Sequence, residues 1–407
     1  MKQEQRGKPA PGSFSLKKNL LEAFTHSDGL VSAAVVVLGF LVGTLLILIV
    51  GRKPSGMYSA IVQVVTGIDL RRYVWNVRYI GEWLVMSMPL ILCGFSMGFA
   101  ARTGLFNIGA EGQYIAGLTV AQLVAVFFPQ VPVLHWFTAL AAALAAGAVW
   151  GGVVGWFKAK FSVSEVVATI MMNYIALYAS RLITLNMPGA NTYRVPDFPA
   201  TAMIRSPFLE RLSNGSRLNY GIWFTLAAAV FFWLVMGKTR LGYSLRATGL
   251  NREAARYGGI SVNGSITSAM AISGAFAGLA GAVVALGSFS YGRVLAVQDG
   301  YGFDGIAVAL VGNSTAWGTV LSGLLFGMLK SAQPLMQARQ IPKEITSIIM
   351  GLVVVFISLR AGVRIIVNWQ MKEKARKAGT PGGETSASGG ADSGDAARNA
   401  ALTGGEQ

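Results

Sequence analysis

Few residues in this chain are equipped for covalent or acid–base chemistry. His26 and His135 are the only histidines among 407 residues, and Cys93 is the only cysteine. A disulfide needs two cysteines and a structural metal site needs several Cys or His ligands at short spacing, so both are excluded. Gly94-Phe-Ser96-Met-Gly98 has the spacing of a serine nucleophile elbow. A serine nucleophile also needs a histidine base within hydrogen-bond reach. The one inner histidine, His135, follows the Pro129–Pro132 turn, so Ser96 reads instead as a polar side chain on a glycine-rich packing helix. Gly237-Lys-Thr239 has the ending of a phosphate-binding loop, but that motif requires a glycine five residues earlier, where Phe232 stands. The chain is therefore expected to have no catalytic residue, no cofactor or metal, and no ATP site of its own.

The polar residues that stand out lie between greasy runs. Gly98–Gly117 ("GFAARTGLFNIGAEGQYIAG") places Arg102, Asn107, Glu111 and Gln113 among glycines and apolar neighbours. A carboxylate at the centre of a membrane helix costs about 2.5–3.5 kcal/mol on insertion scales, so such a group faces a bundle interior or a wet cavity. The glycines allow a helix break, and Asn107 has the chemistry of an N-cap. Broken helices commonly line a transport path; an interfacial turn meeting headgroups is the other reading. Gly300–Asn313 ("GYGFDGIAVALVGN") repeats the theme, with Asp304 opening a short apolar helix. The two stretches look like copies in a duplicated half-bundle.

The elements that must hold these residues are membrane helices. The chain is 53% hydrophobic and only 13% charged, where a soluble domain carries about 25% charged residues. Charge-free runs at 30–50, 83–101, 112–157, 218–237, 257–292 and 305–329 approach or exceed the ~20 residues needed to cross hydrocarbon. The fold class expected is all-α: a polytopic membrane helical bundle of about ten transmembrane segments with broken or half helices. The spans are placed at 30–50, 82–100, 107–128, 133–157, 164–186, 218–237, 265–287, a short 303–313 that crosses fully or halfway, 316–335 and 344–360. Residues 1–29 form a basic cytoplasmic segment, 30–360 the membrane domain, and 361–407 a basic juxtamembrane segment with a disordered tail. The first apolar run is longer than the 7–15 residues of a signal peptide, so it reads as an uncleaved span.

The net charge of +16 fits basic cytoplasmic loops facing anionic lipid. No basic patch is interleaved with aromatics on a soluble domain, so nucleic acid is not expected as a partner. Lys158 and Lys160 mark a cytoplasmic helix end, and both termini are placed inside. Loop 51–78 then lies outside despite Arg52, Lys53, Arg71, Arg72 and Arg78. Small-residue spacings at Gly39/Gly43, Gly147/Gly151/Gly155, Gly274/Gly278 and Gly323/Gly327 read as packing surfaces.

Residues 238–263 interrupt the runs with five cations against Glu253 alone. Asn251 is placed to cap a helix over Arg252–Tyr257, with Glu253 favouring its dipole and Gly258 and Gly259 ending it. Such a rigid element suits docking to a soluble partner, while composition alone fits a plain basic cytoplasmic loop equally well.

Gly249–Ile260 ("GLNREAARYGGI") resembles the coupling-helix segment of ABC importer permeases. Glu253-Ala254-Ala255 stands where the family has its Glu-Ala-Ala core, and Gly258 where a glycine follows. "GLFNIGAEGQYIAG" and "FDGIAVALVGNSTAWGTVLSGLLFG" resemble the permeases of branched-chain amino acid, ribose and nucleoside importers, and Asn107–Gln113 is most similar to the nucleoside or simple-sugar branch. The resemblance covers roughly residues 80–360. It implies a ten-helix permease, to which the first span and the 51–78 loop are additions. It implies docking of a cytoplasmic ABC ATPase through Gly249, Leu250, Asn251, Glu253, Ala254, Ala255, Arg256, Tyr257 and Gly258. It further implies a second, different permease subunit and an extracytoplasmic substrate-binding lipoprotein in the plasma membrane of a bacterium. A neutral nucleoside calls for hydrogen bonds along the path, and Ser96, Asn107, Gln113, Asn173 and Asn313 are the candidates, with Tyr174 for stacking. Glu111 and Asp304 are assigned to structure. The rival substrates are a ribose-like sugar or a branched-chain amino acid. A secondary transporter without an ATPase is a further rival, but it leaves the Glu-Ala-Ala pattern unexplained.

Overall fold

The computed structural model describes residues 28–70 and 73–358. The basic segment expected at 1–29 lies, up to residue 27, outside the described residues, as do Arg71, Arg72 and the tail expected at 361–407.

Long apolar runs become helices because only a helix satisfies every backbone group within its own segment in lipid. α1 (Asp28–Ile49) is followed by α2 (Ser55–Thr66) and a hairpin of β1 (Ile68–Asp69) and β2 (Val74–Trp75), paired Ile68 to Trp75. Then come α3 (Arg78–Arg102), α4 (Ala110–Phe127), α5 (Leu134–Phe161) and α6 (Glu165–Leu185). β3 (Arg194–Asp197) and α7 (Pro207–Leu212) occupy the following loop, and α8 (Gly221–Lys238) returns across the bundle. α9 (Arg240–Leu250) and α10 (Arg252–Tyr257) lead into α11 (Val262–Val283), which a π turn extends to Ser288. β4 (Tyr291–Arg293) pairs antiparallel with β3, and α12 (Tyr301–Val311), α13 (Ala316–Gln337) and α14 (Lys343–Ser358) complete the order. Among the described residues, α3, α5, α6, α8 and α11 are long and apolar enough to cross a membrane. The 11 residues of α12 span about 16 Å at 1.5 Å each, half of a ~30 Å hydrocarbon core.

Two segments differ from expectation. Residues 51–78 are not a plain loop: α2 buries Met57, Ala60 and Val64 in one apolar cluster with residues of α1, α13 and α14. The insert 238–263 holds α9 as well as the expected short helix. Thr239 begins α9, its hydroxyl accepting from the Gly242 N–H at 3.1 Å.

Glycine sets the closest packing. A Cβ on Gly147 of α5 would run into the Gly274 carbonyl of α11, one on Gly151 into that of Met270, and one on Gly117 of α4 into Gly278. Lipid supplies no hydrophobic drive between helices, so such backbone approach is what holds α4, α5 and α11 together. Gly39 and Gly43 of α1 instead receive the side chains of Val353 and Ile349 of α14.

Contacts sort the loops into two ends. At one end Arg52 bonds Gln340, Arg339 bonds the Gly56 carbonyl, Asn214 bonds Asn76 and Arg217 pairs with Glu82. At the other end Gly249 meets Gly104, and Arg102 reaches Asn313 and Ser314.

Candidate functional site: the short capped arm and the half-helix caps

The expected short helix forms over Arg252–Tyr257. The Asn251 Oδ1 accepts from the Ala254 N–H at 3.0 Å, and Glu253 pairs with Arg256 at 3.3 Å on the exposed face. Gly258 donates back to the Ala254 carbonyl, and Gly259 turns the chain away at φ +77. Ala255 is buried beneath the helix, while Leu250 and Tyr257 are 88% and 93% exposed. The arm is joined to the bundle through backbone: a Cβ on Gly249 would lie 2.6 Å from the Arg102 carbonyl. Arg102 in turn donates to the carbonyls of Ser314 (Nε, 2.8 Å) and Asn313 (Nη2, 3.2 Å). Asn313 and Ser314 both have left-handed φ, +53 and +49, at the tight corner from α12 to α13.

The two polar stretches interlock through helix caps supplied in trans. A helix start leaves N–H groups unsatisfied. At α4 the Asn173 Oδ1 of α6 accepts from the Gly112 N–H at 2.8 Å, and Asn173 Nδ2 donates to the Ile108 carbonyl at 3.1 Å. At α12 the Glu111 carboxylate accepts from Gly300 (2.8 Å) and Gly302 (2.6 Å). Glu111 therefore holds the second half helix rather than its own. The expected N-cap role of Asn107 is a correction: Gly109 occupies that position without a side-chain bond. Asn107 Nδ2 instead donates to Ser96 (3.1 Å), Gln113 (2.9 Å) and Ser273 (2.7 Å), while Ser273 donates to the Ser96 carbonyl at 2.5 Å. All four residues are buried, and a carboxamide in an apolar bundle is drawn to the partners that satisfy it. Ser96 also sits inside α3, not on the strand-to-helix turn a nucleophile elbow needs. His135 is occupied by Thr201 and the Val124 carbonyl.

Of the expected path residues, the fold thus gathers Ser96, Asn107 and Gln113 into one cluster, with Asn173 one step away. It separates Asn313, at the corner beside Arg102, and Tyr174, which is 53% exposed. Tyr174 lines a cavity of about 450 Å³ with Tyr178, Gln298, Gly300 and Phe303 among others. Behind it Asp299 accepts from Tyr114 at 2.8 Å and from both Arg293 Nη atoms, at 2.8 and 2.5 Å. Burial opposes the Arg293 charge, but the Asp299 carboxylate overrides it and holds the guanidinium above its ordinary range. Both acids beside the cavity, Glu111 and Asp299, are therefore already engaged. Asp304 pairs with Lys330 of α13 at 2.5 Å.

Sequence reading missed Ser273, Tyr178, Gln298 and the Arg293–Asp299 pair. Ser273 is a lone hydroxyl in an apolar run, and the others lie in or face a loop whose path no periodicity sets.

The branched-chain amino acid transport system permease-component model matches residues 79–358. The guanosine ABC transporter permease protein NupP of Bacillus subtilis is 40% identical over 346 residues, covering 85% of this chain and 97% of that protein. The nucleoside ABC transporter permease protein NupB of Lactococcus lactis is 32% identical over 362 residues, covering 87% and 97%. A glucose ABC transporter permease protein of Haloferax volcanii is 33% identical over 290 residues, covering 68% and 75%. A glycine-packed bundle of apolar helices and a family match over residues 79–358 lead to one conclusion: the chain belongs to the branched-chain amino acid transport system permease-component family, as a multi-pass membrane component of a transporter.

Proposed function

We propose that this chain is the permease subunit of an ATP-driven ABC importer for nucleosides. The observation that carries this reading is the capped helix α10 and its junction with α9: Tyr257 at the end of α10 and Leu250 at the end of α9 are exposed, and Gly249 is set against the end of α3. The partner is a cytoplasmic ABC ATPase, contacted by residues Gly249–Gly258. On this reading the arm and both termini are cytoplasmic, and 51–78, with α2 and its hairpin, lies at the outer face. A second, different permease subunit completes the path, and an extracytoplasmic lipoprotein delivers the solute.

Substrate choice rests on the relatives and the cavity. The nucleoside and guanosine permeases match more of this chain than the glucose permease does. Tyr174, Tyr178 and Phe303 give the cavity aromatic faces, which suit a nucleobase, and the engaged acids leave no free fixed charge, which suits a neutral solute. Ser96, Asn107 and Gln113 satisfy one another here, so they hold the break before α4 and reach solute only if that cluster opens. Uptake of labelled guanosine into proteoliposomes carrying ATPase, both permeases and binding protein tests this. Glu253→Arg should reduce uptake to background while the protein still inserts; undiminished uptake would remove the docking role. Uptake of ribose or leucine in place of guanosine would overturn the substrate.

A further inference from the structure

Arg102 and Arg246 share a small cavity that the transport reading leaves unused. It measures about 160 Å³ and is lined by Arg102, Arg246, Trp233, Gly237, Ser314 and Thr315 among others, with no Asp or Glu in its wall. Among the described residues neither arginine has a carboxylate within ion-pair distance. Arg102 uses Nε and Nη2 on the corner carbonyls and keeps Nη1. Arg246 uses only Nε, on the Gly242 carbonyl at 3.3 Å. Two guanidiniums facing one another across a small space repel, and an oxyanion between them converts that repulsion into charge-assisted bonds. The level in the membrane is marked by Trp233, which is exposed, and by Lys238, whose ammonium lies 5.8 Å from the Trp233 ring. Tryptophan and lysine anchor helix ends at the headgroup layer.

We propose that this cavity binds the phosphate of an anionic membrane lipid, which clamps the coupling arm (Arg246, α9) to the end of α3 (Arg102) and the α12–α13 corner (Ser314). The volume admits a phosphate and excludes a whole nucleotide, and the lipid tails run down the outer side of α8 past Trp233. The consequence for transport rests on the reading of α10 as the docking helix; the binding does not.

The test is lipid titration of the delipidated protein, followed by native mass spectrometry, with hydrogen exchange of residues 240–250 in parallel. Phosphatidylglycerol should be retained in preference to phosphatidylcholine and should slow exchange in α9. Arg246→Gln, at an exposed position, should bind phosphatidylglycerol about tenfold more weakly, equal to about 1.4 kcal/mol, and Arg246→Lys should keep the preference. Equal retention of the two lipids, or undiminished retention by Arg246→Gln, overturns the site. If inorganic phosphate alone protects α9 as well as the lipid does, the lipid assignment falls. In the assembled transporter, phosphatidylglycerol should raise the guanosine moved per ATP hydrolysed. Lipid bound through Arg246 with no such effect would count against the docking reading and leave the site standing.

Discussion

Glu111→Ala should loosen the N-terminus of α12 without unfolding the bundle. The Glu111 carboxylate is fully buried and accepts from two backbone N–H groups, Gly300 at 2.8 Å and Gly302 at 2.6 Å. Alanine removes both acceptors, leaving the Gly302 donor buried and the Gly300 donor half-buried beside the cavity. Each unsatisfied buried group costs about 1–3 kcal/mol, so the first turn of α12 loses at most about 2–6 kcal/mol of local stability. A tenfold change in an equilibrium is about 1.4 kcal/mol. Amides over 300–306 should therefore exchange with deuterium about 30-fold to about 10⁴-fold faster, up to the limit set by global opening. Glu111→Gln keeps one acceptor and turns an NH₂ toward the other donor, so its exchange should fall between wild type and alanine. Peptide-level hydrogen exchange of the purified protein, without solute, measures this. Wild-type exchange in a folded Glu111→Ala protein would refute the capping argument. If Glu111 served the solute instead, alanine would lower uptake and leave the solute-free exchange pattern unchanged.

Two glycines on α5 should behave in opposite ways. Gly147→Val drives a side chain into the Gly274 carbonyl and should abolish the monodisperse peak on size exclusion, whereas Gly152→Ala, whose Cβ meets Ala271 at an ordinary 3.5 Å, should leave it intact. Asp304→Asn should strand the Lys330 ammonium. Breaking a fully buried pair costs about 3–5 kcal/mol, and the 28% and 18% exposure of these side chains reduces that. The melting temperature should therefore fall in the single variant and recover in Asp304→Asn with Lys330→Met. A double variant no better than the single one would show that the pair does not act as a unit.

How much was legible can be traced residue by residue. Of the ten expected spans, the five at α3, α5, α6, α8 and α11 were readable because a membrane imposes a length and an absence of charge on each. The short helix α10 was readable to its ends, since Asn251, Glu253 and Gly259 are local signals acting within one turn. Asn107 was misplaced because the same local rule offered it a cap, while Ser96, Gln113 and Ser273 offered more bonds from three helices at once. α2 escaped notice because its apolar face is short and becomes meaningful only against α13 and α14.

By itself the sequence determined what must be paid out along one dimension: which segments lie in lipid, where helices break, and which short arm stands clear of them. Hydrophobic length, glycine and capping chemistry act between near neighbours, so they are written in order along the chain. Only the tertiary structure decided which distant group satisfies which. Asn173 reaches back to α4, Glu111 reaches forward to α12, and Arg102 joins the end of α3 to a corner more than two hundred residues away. A buried polar atom binds whichever partner packing brings within about 3 Å, and that partner is set by how helices meet.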